Sequence, residues 1–350
     1  MKLEAGIPRP RVLFVYPTEA TFIETDLRLL RTFCEVEPLL YKGRATYPKL
    51  LFRILRADLV FIWFALGFAA VSSWAARLLR KKSIIVAGGW DVTALPEIGY
   101  GRLLTRRGQA TASAALTSAH EVLAFSDWSA NAIRVVAPQA KVKRVYMGVD
   151  PSKFAPQPKE DIVVTVANVT RENLMRKGLQ DFVEAARSFP RVPFFLVGRH
   201  IDESADDLRR AAPQNLQLPG WIPDTDLRRL LARAKVYVQA SMIEGFGVAL
   251  AEAMASGCVP VVTPAGAIPE VVGNAGLYAP FGDRRALVEA IRLGLTSKLG
   301  PSAAGRVRER FTLDMRLAEL RGAIFRVLGL SSRADSELGY KGSGQPRESK

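Results

Sequence analysis

The sequence predicts an α/β protein built from two doubly wound domains, and three observations support this prediction. Short apolar segments alternate with helical patterns along most of the chain, as in repeated βαβ units. The chain has 350 residues, which is more than one compact hydrophobic core usually organises. A proline-rich segment at residues 148–158 has the composition of a linker and divides the chain near its middle.

Residues 1–150 form the first predicted domain, with five parallel strands at residues 11–16, 58–64, 83–87, 121–126 and 142–147. Residues 151–310 form the second, with six strands at residues 161–167, 193–198, 216–218, 235–240, 259–263 and 277–279. The segment that follows, residues 311–330, is predicted to form a C-terminal helix, and its helical pattern covers residues 311–328. Residues 331–350 are polar and glycine-rich, which predicts a disordered tail.

One apolar run, residues 59–76, carries no charge over 18 residues, which approaches the length of a membrane-spanning helix. Gly67 and the pair Ser72 and Ser73 interrupt this run. We therefore interpret it as one buried strand followed by one buried helix of the first domain.

The net charge of +15 indicates an anionic partner, and nucleotide diphosphates, anionic membrane surfaces and nucleic acids are the candidates. No nucleic-acid motif and no interleaving of aromatic and basic residues is visible, so we do not expect a nucleic-acid partner. Basic clusters lie in the first half of the chain, at residues 77–82, 102–107 and 141–144. They are interpreted either as solvated helix faces or as a basic rim that meets a lipid-phosphate acceptor at the cytoplasmic leaflet.

Cysteine and histidine are scarce. Cys34 and Cys258 lie far apart without metal-ligand spacing, which indicates buried free thiols in a reducing compartment. With only two histidines, neither a zinc site nor a serine–histidine triad is expected, and no metal is predicted. No cleavable signal peptide is visible. We expect a cytoplasmic protein, either free or peripheral on the inner face of the membrane.

The segment 241–254 predicts a site for a phosphorylated sugar. Gly245 and Gly247 fall between a predicted strand and a predicted helix, where the first backbone N–H groups of the helix bind anions. Glu244 and Glu252 bracket these glycines, and Glu252 lies about two turns into the helix, roughly 10 Å along it. A carboxylate can accept hydrogen bonds from a vicinal diol. One glutamate is therefore expected to bind a ribose and the other a hexose, with a diphosphate between them.

Further patterns at residues 256–263 and 266–273 extend this segment. The block 236–290 resembles the donor-binding half of retaining glycosyltransferases of the GT-B fold, and is most similar to glycosyltransferase family 4 (glycosyl transferases group 1). The pattern G-V-D-x-x-x-F at residues 148–154 is similar to the interdomain connection of that family. The resemblance implies two Rossmann-like domains that face each other across a cleft, and a C-terminal helix that returns to the first domain.

The same resemblance implies transfer of a hexose from a nucleotide diphosphate sugar to an acceptor hydroxyl with retention of configuration. The acceptor that the resemblance implies is a glycan, a lipid-linked sugar or a small molecule. No cofactor is expected, because the nucleotide sugar is a co-substrate. Two other classes stay open: a nucleotide-sugar epimerase or sugar phosphorylase of the same architecture, and a non-catalytic polyanion-binding protein.

The family also implies roles for individual residues. An arginine and a lysine of the loop after strand 161–167 hold the donor diphosphate, and Lys177 matches the lysine. Asn168 occupies the usual position of the arginine, so Arg171 or Arg176 is expected to replace it. The predicted substrate-binding residues are Arg171, Arg176, Lys177, Gly198, Glu244, Gly245, Phe246, Gly247, Val248 and Glu252.

In the first domain the chain departs from the family. Residues 17–26 lack the glycine-rich loop that usually follows the first strand, which leaves acceptor recognition open. After the third predicted strand, Asp91 stands where the family often has a histidine at the cleft. Asp91 is therefore a catalytic candidate beside Glu244 and Lys177, or else it caps the segment that follows it.

Overall fold

Each half of the chain folds into a six-stranded parallel sheet with helices on both faces, in a computed structural model that describes residues 9–330. The first half contains β1 (Arg11–Tyr16), α1 (Thr21–Arg31), β2 (Glu35–Leu40), α2 (Tyr47–Arg56), β3 (Leu59–Trp63), α3 (Gly67–Leu78), β4 (Lys82–Ala87), α4 (Arg106–Ser118), β5 (Glu121–Ala124), α5 (Asp127–Val136) and β6 (Val142–Arg144). The predicted disorder of residues 331–350 lies outside the described residues.

The second half begins at the strand that follows the proline-rich segment. It contains β7 (Glu160–Val166), α6 (Arg171–Arg176), α7 (Leu179–Ala186), β8 (Phe194–Val197), α8 (Ser204–Ala211), β9 (Leu216–Gly220), α9 (Asp224–Arg233), β10 (Ala234–Gln239), α10 (Val248–Ala255), β11 (Val259–Val262), α11 (Ile268–Val272), β12 (Leu277–Tyr278), α12 (Arg284–Thr296) and α13 (Gly300–Arg310). The last helix, α14 (Leu313–Leu328), follows.

The strand order is β2-β1-β3-β4-β5-β6 in the first sheet and β12-β11-β10-β7-β8-β9 in the second. All neighbouring strands run parallel. Strands such as β3 are buried along their whole length because helices cover both faces of the sheet. In open sheets of this kind, ligands bind beyond the carboxyl ends of the strands, so the loops at those ends are the places to look for a site.

The α/β prediction is confirmed, and each predicted strand is present with shifts of a few residues at its ends. The strand β2 was not predicted, because its sequence E-V-E-P-L-L carries two carboxylates and a proline. Pro38 is tolerated there because β2 is an edge strand of the sheet. The apolar run at residues 59–76 divides into β3 and α3, as expected. Within residues 9–330, no helix is both long and apolar enough to cross a membrane.

Helix α14 crosses from the second half of the chain and packs against α1 of the first. Its Arg316 forms a bidentate ion pair with Asp26 of α1, with N–O distances of 2.5 and 2.7 Å. The same guanidinium donates to the Tyr146 carbonyl oxygen at 2.7 Å. Both charged side chains are fully buried. This pair therefore fixes the end of the chain to the first sheet.

We expect Asp26→Asn to destabilise the protein by about 3–5 kcal/mol, because it leaves the buried Arg316 cation without a counter-charge. The measurement is the shift of the urea unfolding transition. Asp226→Asn removes one partner of an exposed ion pair with Arg229, and we expect no measurable shift from it. The double variant Asp26→Leu with Arg316→Met should recover stability relative to Asp26→Asn, since it buries no lone charge. Equal stability of Asp26→Asn and wild type would contradict this assignment.

Candidate active site

A cavity of about 320 Å³ lies between the two sheets, at the carboxyl ends of strands from both. The first domain contributes mainly aromatic walls, including Phe22, Phe64, Trp90 and Tyr100. The second domain contributes a charged floor and the turn at residues 243–249. An aromatic wall opposite a charged floor suits a ligand that has both a ring and an anionic group.

A lysine and a glutamate form an ion pair at this floor. Lys177 Nζ donates to Glu244 Oε1, and both side chains are largely buried. Gln239 Nε2 and Ser241 Oγ donate to the same carboxylate oxygen at 2.8 and 2.9 Å. Burial by itself would raise the pKa of Glu244, but the charges of Lys177 and Arg176 outweigh it and hold that pKa below its usual range. Glu244 is therefore a carboxylate at neutral pH.

Lys177 is positioned by the chain that precedes and follows it. Thr170 caps α6 by accepting the Asn173 backbone N–H at 3.1 Å, and Lys177 comes directly after the last residue of this helix. Gly178 has φ +62°, and a side chain there would clash with the Ala240 carbonyl oxygen at the end of β10. Glycine is the residue that tolerates both the positive φ and the close approach of this carbonyl oxygen. The lysine segment therefore lies directly against the strand that leads to Glu244.

The segment that contains the candidate arginines was expected to be a loop, and this is corrected: residues 171–176 form the short helix α6. The helix separates the two arginines. Arg176 lines the cavity, with its guanidinium 4.6 Å from the centre of the Tyr100 ring and 2.5 Å from Asn173 Oδ1. Arg171 is exposed at the start of the helix and does not line the cavity. Of the two alternatives, the structure brings Arg176 to the site.

The turn at residues 245–247 lies against the first domain. A side chain at Gly245 would clash with the carbonyl oxygen of Gly88, which follows β4. Phe246 is buried and its ring packs against Tyr146 and Phe311 at centroid distances of 6.1 and 5.4 Å. Gly247 and Val248 both line the cavity at the start of α10. The backbone amides of this helix start therefore lie beside the Lys177 and Glu244 side chains.

Glu252 and Gly198 lie outside the cavity wall. Glu252 is the fifth residue of α10, about 6 Å along the helix, which corrects the expected two turns and roughly 10 Å. Burial, followed by the nearby charge of Asp224, raises the pKa of Glu252 to about 7. Gly198 ends β8, and a side chain there would clash with the Ala167 carbonyl oxygen. Both residues lie on the carboxyl side of the second sheet, next to the cavity rather than in it.

The expectation that Asp91 contacts a substrate is corrected. Asp91 is fully buried, and its carboxylate accepts the backbone N–H groups of Ala65 at 2.9 Å, Gly89 at 3.0 Å and Gly88 at 3.3 Å. These bonds tie the loop after β3 to the loop after β4. The neighbours of Asp91 in sequence, Gly89 and Trp90, line the cavity in its place. The role of Asp91 is to position them.

Gln239 and Tyr100 are among the residues of the site that the sequence did not single out. Gln239 orients Glu244 and in turn accepts from the Tyr237 hydroxyl at 3.1 Å. A polar residue at the end of the otherwise apolar strand β10 was the available signal. Tyr100 lies under the Arg176 guanidinium, but it is 76 positions away in sequence, and no local pattern links the two. Within residues 9–330, no group of three or more His, Cys, Asp or Glu side chains is arranged to hold a metal ion.

Comparison with known proteins places this site in context. Residues 160–297 match the family model described as glycosyl transferases group 1. The chain is 30% identical over 281 residues to the putative colanic acid biosynthesis glycosyltransferase WcaL of Escherichia coli, covering 73% of this chain and 65% of that protein. It is 27% identical over 244 residues to the GDP-mannose:cellobiosyl-diphosphopolyprenol alpha-mannosyltransferase of Xanthomonas oryzae. This match covers 64% of this chain and 61% of that protein. The chain spans less than two thirds of the length of these curated relatives.

Solved structures share the whole architecture. HepE of Anabaena, determined in complex with UDP and glucose, has a TM-score of 0.73 at 17% identity and covers 91% of this chain and 100% of its own. Sucrose-phosphate synthase of Thermosynechococcus elongatus has a TM-score of 0.73 at 17% identity. The match covers 92% of this chain and 100% of that one. The two domains therefore form a GT-B fold, and the predicted fold is confirmed.

We expect the Glu252→Gln variant to gain stability over wild type as the pH rises from 5 to 8. The folded state holds the Glu252 proton up to a pKa of about 7, above the ordinary value of 4.5. The free energy of unfolding of wild type therefore falls by up to about 3 kcal/mol as the pH rises through this interval. That of the variant does not change in this way, because glutamine does not titrate. Melting temperatures at several pH values measure the difference. The matched control, Glu309→Gln at an exposed glutamate, should show no such trend, and a Glu252→Gln difference independent of pH would refute the prediction.

Proposed function

We propose that the chain, whose residues 160–297 match the family model of glycosyl transferases group 1, transfers a hexose from a nucleotide diphosphate sugar to an acceptor hydroxyl with retention of configuration. The observation that carries the proposal is the buried Lys177–Glu244 pair beside the start of α10. It combines a cation, free helix amides and an ionised carboxylate within one cavity, which are the groups that a sugar diphosphate requires.

In the proposed complex, the diphosphate lies over the start of α10, where backbone amides and the helix dipole favour anions. Lys177 and Arg176 supply positive charge from one side. Glu244 accepts hydrogen bonds from the hexose hydroxyls, because it is ionised and its remaining oxygen is not occupied by Gln239 or Ser241. Glu252, about one turn along the same helix, accepts from the ribose.

The proposed reaction needs no protein nucleophile. The acceptor oxygen forms a bond to the anomeric carbon on the face from which the diphosphate departs, and the bond between that carbon and the phosphate oxygen breaks. The acceptor proton passes to the departing phosphate oxygen. Lys177, Arg176 and the amides of α10 stabilise the negative charge that develops on the diphosphate, which is the largest contribution such a site can make. A metal ion is then not required for this charge.

The acceptor and the location are part of the same proposal. The aromatic wall of the first domain, with Phe22, Phe64 and Trp90, is suited to pack against an acceptor. The Xanthomonas relative is named for a diphosphopolyprenol substrate, which supports a lipid-linked acceptor here. We propose that the protein works in the cytoplasm at the inner face of an anionic membrane.

We expect Lys177→Ala to lower turnover by about a hundredfold or more, as for the loss of one preorganised electrostatic donor. Chelation of divalent metals should leave wild-type turnover intact. The measurement is release of the nucleoside diphosphate and of transferred sugar, and Lys298→Ala, at an exposed lysine of the second domain, is the matched control. Activity that chelator abolishes and manganese restores would rule out the metal-independent mechanism.

The two glutamates are expected to separate binding from transfer. A thermal-shift panel of nucleotide sugars, beginning with GDP-mannose, identifies the nucleotide, since a ligand of the native state raises its melting temperature. Calorimetry with the free nucleoside diphosphate should then show an affinity for Glu252→Ala about tenfold or more below wild type, through lost hydrogen bonds to the ribose. Glu244→Gln should bind the free diphosphate nearly as wild type but transfer sugar poorly. Wild-type affinity of the Glu252→Ala variant would exclude the ribose assignment.

A further inference from the structure

The outer faces of α2 and α3 together expose six large apolar side chains, and we call this surface the α2–α3 face. Its members are Leu51, Phe52 and Leu55 of α2 and Val71, Trp74 and Leu78 of α3. Trp74 and Leu78 are 71% and 79% exposed. The three residues of α3 have the spacing i, i+3 and i+7, so they form one continuous stripe along the helix. Six exposed large apolar side chains on two helices that pack against each other indicate an interaction site.

Helix α2 carries apolar side chains on two sides. One side packs on the first sheet and the other is exposed to solvent. Leu50 and Ile54 are fully buried against the first sheet, while the apolar residues of the α2–α3 face point to solvent. Helices α2 and α3 pack side by side, and α3 packs beside α4. A groove of about 600 Å³ between α3 and α4 is lined by Trp74, Leu78 and Ala114. Helices α1 and α14 pack on the opposite side of the sheet, so the contact between the domains does not cover the α2–α3 face.

Positively charged residues greatly outnumber acidic ones around this face. Residues 42–82 contain nine lysines and arginines and a single acidic residue, Asp58, which is itself paired with Arg11. The Arg56 guanidinium lies 4.2 Å from the centre of the exposed Phe52 ring, so cationic and apolar groups are in direct contact. The basic cluster at residues 141–144 is different, because Lys143 and Arg144 form ion pairs with Glu319 and Asp127. Of the nine cations, Arg53 is paired with Glu37 at 2.9 Å. The region of the exposed apolar residues still carries a net positive charge.

We propose that the α2–α3 face docks on an anionic lipid bilayer, with Phe52, Trp74 and Leu78 inserted among the lipid headgroups and the surrounding lysines and arginines at the lipid phosphates. A combination of exposed apolar side chains and positive charge on adjacent helices is the feature that binds such a surface. A second copy of the chain fits poorly, because two such basic faces would repel each other. A nucleic acid would contact the charges and leave the apolar stripe in water. The inference rests on the membrane location proposed above and not on the transfer reaction, since none of these residues lines the active-site cavity.

The experiment is sedimentation of the full chain with vesicles of phosphatidylcholine alone or mixed three to one with phosphatidylglycerol. We expect binding only to the anionic vesicles, and release by high salt, since screening shortens the range of the attraction to about 3 Å at 1 M. The variant Phe52→Ala with Trp74→Ala should lower the partition coefficient about tenfold or more, through the loss of inserted apolar area. Trp221→Ala is the matched control, because Trp221 is also exposed, at 59%, but belongs to the second domain. It should bind as wild type.

Equal binding of the Phe52→Ala, Trp74→Ala variant and wild type would overturn the proposal, and so would absence of binding to anionic vesicles at low salt. Binding to a nucleic acid oligomer with no binding to vesicles would assign the face to a different partner and also overturn it. A measurement of turnover with a water-soluble acceptor tests glycosyl transfer independently of membrane binding. We expect the variant to keep wild-type turnover in that assay, so a failure of membrane binding and a failure of glycosyl transfer give different results.

Discussion

The ion pair between Lys177 and Glu244 is the constraint on which the site depends. Removal of two charges from water costs more than their attraction returns unless further hydrogen bonds satisfy them. Gln239 and Ser241 supply those bonds to the glutamate. The two partners belong to segments 67 positions apart in the chain. The junction of α6 and α7 therefore has to lie against the end of β10, and the Met242 backbone N–H secures this by donating to the Arg176 carbonyl oxygen at 2.8 Å.

A second set of contacts sets the distance between the domains. Glu270, the third residue of α11, accepts the backbone N–H groups of Asp127 and Trp128 at 2.7 Å each. These N–H groups begin α5 of the first domain, where a carboxylate is favoured by the helix dipole. Close by, Gly245 lies against the Gly88 carbonyl oxygen. The cavity is thus closed on one side by backbone, and its aromatic wall is held over the charged floor.

Local patterns in the sequence were sufficient for most of the scaffold and for the glycine turn that lines the cavity. The helix at residues 248–255 and the glycine turn before it were predicted because helix propensity and turn residues are local properties. The helix α6 was missed because it is only one and a half turns long and rich in charge. The function of Asp91 could not be read from its neighbours, since the amide of Ala65 that it binds is 26 positions away. Contacts between the domains, such as that of Glu270, span more than 140 positions and leave no pattern in the sequence.

The path of α3 connects the exposed apolar face to the cavity. Phe64 lines the cavity, and α3 begins three residues later, at Gly67. Trp74 is seven residues into this helix, roughly 10 Å from its start. A bilayer in contact with Trp74 would therefore lie beside the helix whose first turn adjoins the aromatic wall. With the docking proposed above, an acceptor anchored in the bilayer by its lipid would approach the first domain on the side of α3, the helix whose start adjoins the aromatic wall.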